Sequence, residues 1–340
     1  MHRTGPSNLI TDVPGLSVGN AHDARLRSGV TVLLADAPMT ASIDVRGGAP
    51  GTRESHALEP DGAIDEVHAV VLSGGSAFGL DAATGVQSWL RERGIGFSVG
   101  GARVPIVPQA ILFDLLNGGD TDWGNSTPYQ RLAREACDAA STDFALGTAG
   151  AGYGASTANL KGGLGSASEV TQDGATLGAL IAVNAAGVVN IGEGPHFWAA
   201  PFEIGGEYGA RGWPTKFSPA DLDIRMKAGP GPQNSSIAIV ATDVRLDKAQ
   251  LRRLAIMAHT GLARAIYPVN TPIDGDVIFA VSTCRRDAEV DYMSLARLGS
   301  ACANVLARAT ARGVFEAAAF EDEPRYKPAW RDLHAAKGAR

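Results

Sequence analysis

The stretch Gly229 to Asp243 reads Gly-Pro-Gly-Pro-Gln-Asn-Ser-Ser-Ile-Ala-Ile-Val-Ala-Thr-Asp. Its Gly-Pro steps cannot continue a helix or a central strand, so Gly229 to Asn234 reads as a loop. Ile237 to Ala241 is an apolar, β-branched run of strand length. Ser235 therefore stands at the head of a buried strand, held by a rigid element and fed by a loop. A hydroxyl so placed is suited to attack the peptide bond in front of it. Cleavage would leave the same serine with a free α-amine of pKa roughly 7.7–8.0, a base near neutral pH. One residue would then supply nucleophile and base. The alternative is an ordinary Asn-Ser turn without a role.

Other polar residues offer partners for such chemistry. Asn184 ends the apolar run Leu177 to Val183 and is either a turn residue or an amide donor for a developing oxyanion. Lys161 lies in the glycine-rich stretch Gly147 to Ser168 and is either a solvated surface charge or a lysine pinned against another backbone. Asp274 and Asp276 stand two apart at a strand entrance and in extended geometry share a side. They could hold an ammonium or raise one another's pKa, or be solvated turn carboxylates. Arg46 to Glu54, Arg-Gly-Gly-Ala-Pro-Gly-Thr-Arg-Glu, is an anion loop or, preferred here, a loop whose glycines need positive φ. It lacks the phosphate-loop pattern. The turn Ser73 to Gly79 offers helix-start amides to an anion, or small residues for close packing.

Alternating strands and helices must position these residues. Strands are expected at Ile10–Val18, Gly29–Ala35, Val67–Leu72, Leu177–Val183, Ile237–Ala241 and Val277–Ser282. Helices are expected from about Leu80 to Arg93, Pro128 to Ala140, Asp247 to Ile266 and Val290 to Arg312. Phe197 to Pro230 reads as a long irregular connection, and the charged tail from Glu321 as surface-bound or frayed.

Composition narrows the function classes. With 340 residues, 45% of them hydrophobic, the chain can bury a large core. A formal charge of -6 and no basic stripe argue against a nucleic-acid binder. Cys137, Cys284 and Cys302 form no CxxC pair and read as core residues of a reducing, cytoplasmic compartment. Met1 to Asn20 lacks the pattern of a signal peptide, no apolar run is long enough to span a membrane, and the histidines show no metal-binding spacing. Neither metal nor cofactor is expected.

Together the segments Thr11–Gly19, Arg46–Glu54, Leu72–Asp81, Leu160–Gly165, Ala182–Asn184 and Asn234–Asp243 resemble the P1 or DmpA-like peptidase family, over roughly Ile10 to Ala318. That family includes L-aminopeptidase/D-esterases, β-peptidyl aminopeptidases and 6-aminohexanoate-oligomer hydrolases. The resemblance implies an α+β fold, a four-layer αββα sandwich shared with the ornithine acetyltransferases. It implies an N-terminal-nucleophile hydrolase that cuts itself between Asn234 and Ser235, giving chains 1–234 and 235–340 of one domain. By the same resemblance Lys161 is the lysine near the nucleophile and Asn184 the oxyanion donor. Asp274 and Asp276 match the aspartate pair of the nylon-oligomer enzymes, whereas Ser235 matches the aminopeptidases. Phe113 stands where the family's oxyanion tyrosine is expected, with Tyr153 as a replacement hydroxyl. The implied partners are a small peptide or amide substrate and further processed protomers in a homo-tetramer or octamer. An acyltransferase of the ornithine acetyltransferase type and an unprocessed binding protein are the alternatives.

Overall fold

A computed structural model describes residues 3–227, 234–322 and 326–334. Its strands, in chain order, are β1 (Leu16–Asp23), β2 (Ser28–Val45), β3 (Thr52–Arg53), β4 (Val67–Ser73), β5 (Phe97–Val99), β6 (Ala102–Val104), β7 (Gln109–Ile111), β8 (Leu164–Val170), β9 (Thr176–Asn184), β10 (Ser235–Val244) and β11 (Val277–Arg286). The helices are α1 (Ala82–Glu92), α2 (Tyr129–Asp138), α3 (Lys248–Ala263), α4 (Tyr292–Phe315) and α5 (Trp330–His334).

The long strand β2 joins two sheets. Its first half lies between β1 and β4, and its second half pairs with β11. One sheet therefore runs β1-β2-β4-β7-β3 and the other β2-β11-β10-β9-β8. Side-chain alternation builds the layers. In β10, Ala238 and Val240 face Leu254, Ala258, Val305 and Leu306 of α3 and α4. Ile237, Ile239 and Ala241 face the other way, onto Leu33, Val70 and Leu72 of the opposite sheet. Val30, Val32, Ala69 and Val71 in turn meet Val86, Leu132 and Ala136 of α1 and α2. The result is helix, sheet, sheet, helix: the four-layer αββα sandwich. All ten residues of β10 are buried, and its centre, Ile237 to Ala241, is apolar on both faces, which is why the sequence shows a run there rather than an alternation.

Helices lie very close to the sheets. At Gly165 in β8 a Cβ would overlap the Ala309 carbonyl of α4. Gly165→Ala is expected to destabilise the fold by about 1–3 kcal/mol, because backbone must move to admit the methyl. Urea unfolding measures it; an unchanged midpoint would refute this packing.

Some sequence expectations need correction. Ile10–Asp12 is a short 3-10 turn, and the strand starts only at Leu16, after Pro14 and a Gly15 with φ of 92°. The segment preceding α1 winds as 3-10 from Ser76 to Asp81. The C-terminal tail is not frayed over Tyr326 to His334: Trp330 is buried and stacks on Phe197, with ring centroids 5.4 Å apart. The loop expected at Gly229 to Asn234 lies, but for Asn234, outside the described residues. Among the described residues no helix is long and apolar enough to cross a membrane.

Candidate active site

Ser235 opens β10 and Asn184 closes β9, and the two are direct partners in the antiparallel ladder. Such partners carry their side chains on one face, with Cβ atoms about 5 Å apart. By alternation that face is the one of Ile237 and Ala182, so both polar groups sit at the end of the layer between the sheets. Ser235 Oγ donates to the Asn234 carbonyl oxygen at 2.5 Å. The same oxygen accepts the Gly275 N–H at 2.8 Å. Asn234 and Asp274 extend the parallel pairing of β10 with β11 by one bridge.

Asp274 and Asp276 flank that glycine and are both buried. Asp276 accepts from Ser236 N at 2.7 Å and from Asn270 N at 3.0 Å. Asp274 accepts from Ala186 N at 3.0 Å and from the amide and hydroxyl of Thr271 at 3.0 and 2.6 Å. They thus tie the residues after Asn184 and Ser235 to the loop that carries Gly275. Burial, and then the Asp274 charge, push Asp276 up to about 7.

The Arg46–Glu54 loop covers this turn. Ala49 N donates to Asp274 O at 2.8 Å and Arg46 N to Asp276 O at 3.1 Å. Gly47, Gly48 and Gly51 do not take positive φ, contrary to expectation. Their role is space: a Cβ on Gly47 would overlap Asp276 N, and one on Gly48 would stand 2.7 Å from the Pro272 carbonyl oxygen.

Lys161 is fully buried. Its ammonium donates to the carbonyls of Gly152 (3.4 Å), Tyr153 (2.8 Å), Ala155 (2.9 Å) and Gly162 (3.1 Å), all within its own glycine-rich loop. Burial lowers it to about 7, against the pull of the Asp114 carboxylate. The loop is glycine-rich because it presses on the sheet; a Cβ on Gly162 would overlap the Val183 carbonyl, one residue before Asn184. Lys161 thus braces the loop that packs on the strand of Asn184, and its four acceptors among the described residues are backbone carbonyls.

Three residues escaped the sequence reading. Asp114 is buried, accepts Gly75 N at 2.7 Å, and has no partner at Oδ2 among the described residues. Burial pushes it up to about 6 against the Gly75 amide, the nearby Ser28 hydroxyl and the Lys161 charge. The anion at the Ser73–Gly79 turn is thus supplied by the chain itself. A carboxylate inside the apolar run Gln109–Leu116 was the available signal. Lys227 donates to Asn184 Oδ1 at 3.0 Å. Tyr326 donates to Ser156 Oγ at 2.9 Å, and Ser156 N donates to Asn184 Oδ1 at 3.1 Å. Nothing local marks either residue. Tyr153 stacks on His22, centroids 4.2 Å apart, and the Phe113 carbonyl accepts Asn184 Nδ2 at 3.0 Å. Among the described residues Tyr326 is a tyrosine hydroxyl linked to Asn184, through Ser156.

Four layers set a serine at the head of a central strand beside an asparagine and two buried carboxylates, groups able to serve hydrolysis of an amide bond. The chain belongs to peptidase family S58, whose profile matches residues 8–325. An uncharacterized aminopeptidase of Mycobacterium tuberculosis is 41% identical over 94% of this chain and 97% of its own. A 6-aminohexanoate-oligomer endohydrolase of a Kocuria species is 31% identical over 82% of this chain and 76% of its own. Among solved structures, a Burkholderia β-aminopeptidase superposes with a TM-score of 0.70 at 22% identity, covering 93% of this chain and 89% of its own. The L-aminopeptidase D-Ala-esterase/amidase of Ochrobactrum anthropi, described as a variant of the Ntn hydrolase fold, does so with 0.68 at 23%, covering 93% and 88%. Those two likenesses establish the shared fold.

Proposed function

We propose that the chain is a self-cleaving amide hydrolase whose nucleophile is Ser235, acting at the amino end of small peptides or ω-amino-acid oligomers. The observation that carries the reading is the contact of Ser235 Oγ with the carbonyl before it, whose oxygen is already bonded to Gly275 N–H. Attack by Oγ on the Asn234 carbonyl carbon forms a tetrahedral oxyanion. Gly275 N–H and the Asn184 amide stabilise that charge, a donor of this kind being worth about 2.7–4 kcal/mol. The C–N bond breaks, the Ser235 nitrogen takes a proton, and an ester joins Asn234 to Oγ. Water hydrolyses the ester, leaving an Asn234 carboxylate and a Ser235 with free amine and hydroxyl.

Before the cut Ser235 has no α-amine, so its hydroxyl proton needs another acceptor. Asp276, whose Oδ1 accepts from Ser236 N one peptide unit from that hydroxyl, is assigned this role, and burial with the Asp274 charge raises its affinity for a proton. After the cut the α-amine takes over as base for attack on a substrate amide. Asp274 and Asp276 spend their hydrogen bonds on backbone amides and Thr271, which favours positioning of Ser235 over capture of a substrate ammonium. Lys161 acts by holding the loop against the strand of Asn184.

N-terminal sequencing of active protein tests this directly. The expected result is two fragments, one of which starts Ser-Ser-Ile-Ala at Ser235. Active material consisting only of intact chain would refute it.

A further inference from the structure

We propose that Lys227 is a positioning residue for self-cleavage, holding and polarising the Asn184 amide so that it stabilises the oxyanion formed at Asn234. The proposal rests on Ser235 being the nucleophile.

Asn184 Oδ1 receives two donors, Ser156 N at 3.1 Å and Lys227 Nζ at 3.0 Å. Two donors on one oxygen decide which end of the amide is carbonyl and which is NH2. Nδ2 is thereby directed away from these donors and reaches Phe113 O at 3.0 Å, while Asn184 itself is the ladder partner of Ser235. The two donors are not equivalent. Ser156 N is neutral, whereas a protonated Lys227 makes a charge-assisted bond, roughly twice as strong. A cation on Oδ1 also draws electron density from the amide nitrogen and strengthens what Nδ2 donates, the cooperativity of linked hydrogen bonds.

Lys227 is no loose surface lysine. Its backbone N–H donates to Ala186 O at 2.8 Å, and Ala186 N in turn donates to Asp274 Oδ1. The lysine is thus keyed to the same short backbone segment that carries Asn184 and that Asp274 anchors. It precedes the Asn234–Ser235 bond by seven residues, on the large-chain side.

The charge of this lysine is adjustable. Among the described residues four groups face it: Lys327 and Lys161 disfavour its cation, and Asp274 and Asp114 favour it. Burial first, and then Lys327, lower it to about 7. Its cation is present below that pH and fades above it, so its help to Asn184 should fade in the same direction.

The test follows splitting of the full chain, made by cell-free synthesis, on denaturing gels between about pH 6 and pH 9. Wild type, Lys227→Met and Lys227→Arg are compared as ratios, which cancels the pH dependence of the base. Wild type should split about tenfold faster than Lys227→Met at pH 6, a fraction of the 10²–10³ lost with a whole oxyanion donor. That advantage should shrink towards unity at pH 9. Because a guanidinium does not titrate here, the rate of Lys227→Arg relative to wild type should rise with pH. The arginine series stands by itself if the methionine chain misfolds: a flat ratio overturns the proposal. So does a methionine chain as fast as wild type at every pH, or one slower by a constant factor and matched by arginine. A wild-type chain that never splits overturns the Ser235 reading as well; a splitting wild type with an equally fast Lys227→Met chain overturns this inference alone.

Discussion

Ser235→Ala is expected to accumulate as one uncut chain with no measurable amide hydrolysis. The alanine removes Oγ, the atom that stands against the Asn234 carbonyl at 2.5 Å. Without it no ester can form, the Asn234–Ser235 bond persists, and no α-amine is released to act as base. Both activities fail together, which distinguishes loss of a shared atom from loss of a binding contact. The fold should survive, since removal of one hydroxyl leaves the β10 ladder and the apolar residues beyond it in place. Ser235→Cys should retain some splitting, because a thiolate is also a nucleophile. Gel mobility, intact mass and release of an amino-acid p-nitroanilide measure the three outcomes. An alanine chain that still divides at this bond would remove Ser235 from the mechanism.

Gly275→Ala is expected to slow splitting by about a hundredfold or more, the order lost with one oxyanion donor. A Cβ at this position would overlap Ser235 Oγ and stand 2.6 Å from the Ala49 carbonyl oxygen. The serine can rotate away, but Ala49 is backbone and is itself tied to Asp274 O through its N–H at 2.8 Å. The turn must then retreat from Asn234, which lengthens the 2.8 Å bond from Gly275 N to the Asn234 oxygen. The same strain should cost about 1–3 kcal/mol of stability. Splitting kinetics and urea unfolding on one preparation separate the effects. Wild-type splitting in a destabilised Gly275→Ala chain would show that this N–H does not matter for the reaction.

Much of the fold was legible because burial on two faces writes apolar runs. Val67–Leu72, Leu177–Val183 and Ile237–Ala241 were each found as strands within a few residues of their bounds. Helix α3 was legible from its apolar spacing and from Asp247, whose side chain caps it by accepting Gln250 N. The length of β2 was not legible: Asp36, Ala37 and Pro38 interrupt the apolar pattern where the strand crosses from one sheet to the other and is exposed. The reason for the glycines in the Arg46–Glu54 loop was missed too, since crowding by Asp274 and Pro272 comes from residues more than two hundred positions away.

By itself the amino-acid sequence determined the serine at the head of a buried strand, because run length and turn chemistry are carried by neighbours in the chain. The layered α+β class followed from the resemblance carried by several co-linear motifs, not from local pattern. Tertiary structure alone decided that Asn184 faces Ser235 across a ladder, that Gly275 N meets the Asn234 oxygen, that Lys161 is spent on its own loop, and that Lys227 and Tyr326 connect to the Asn184 amide. Strand register, close backbone approach and the desolvation that shifts Asp276 arise only when distant segments are brought together.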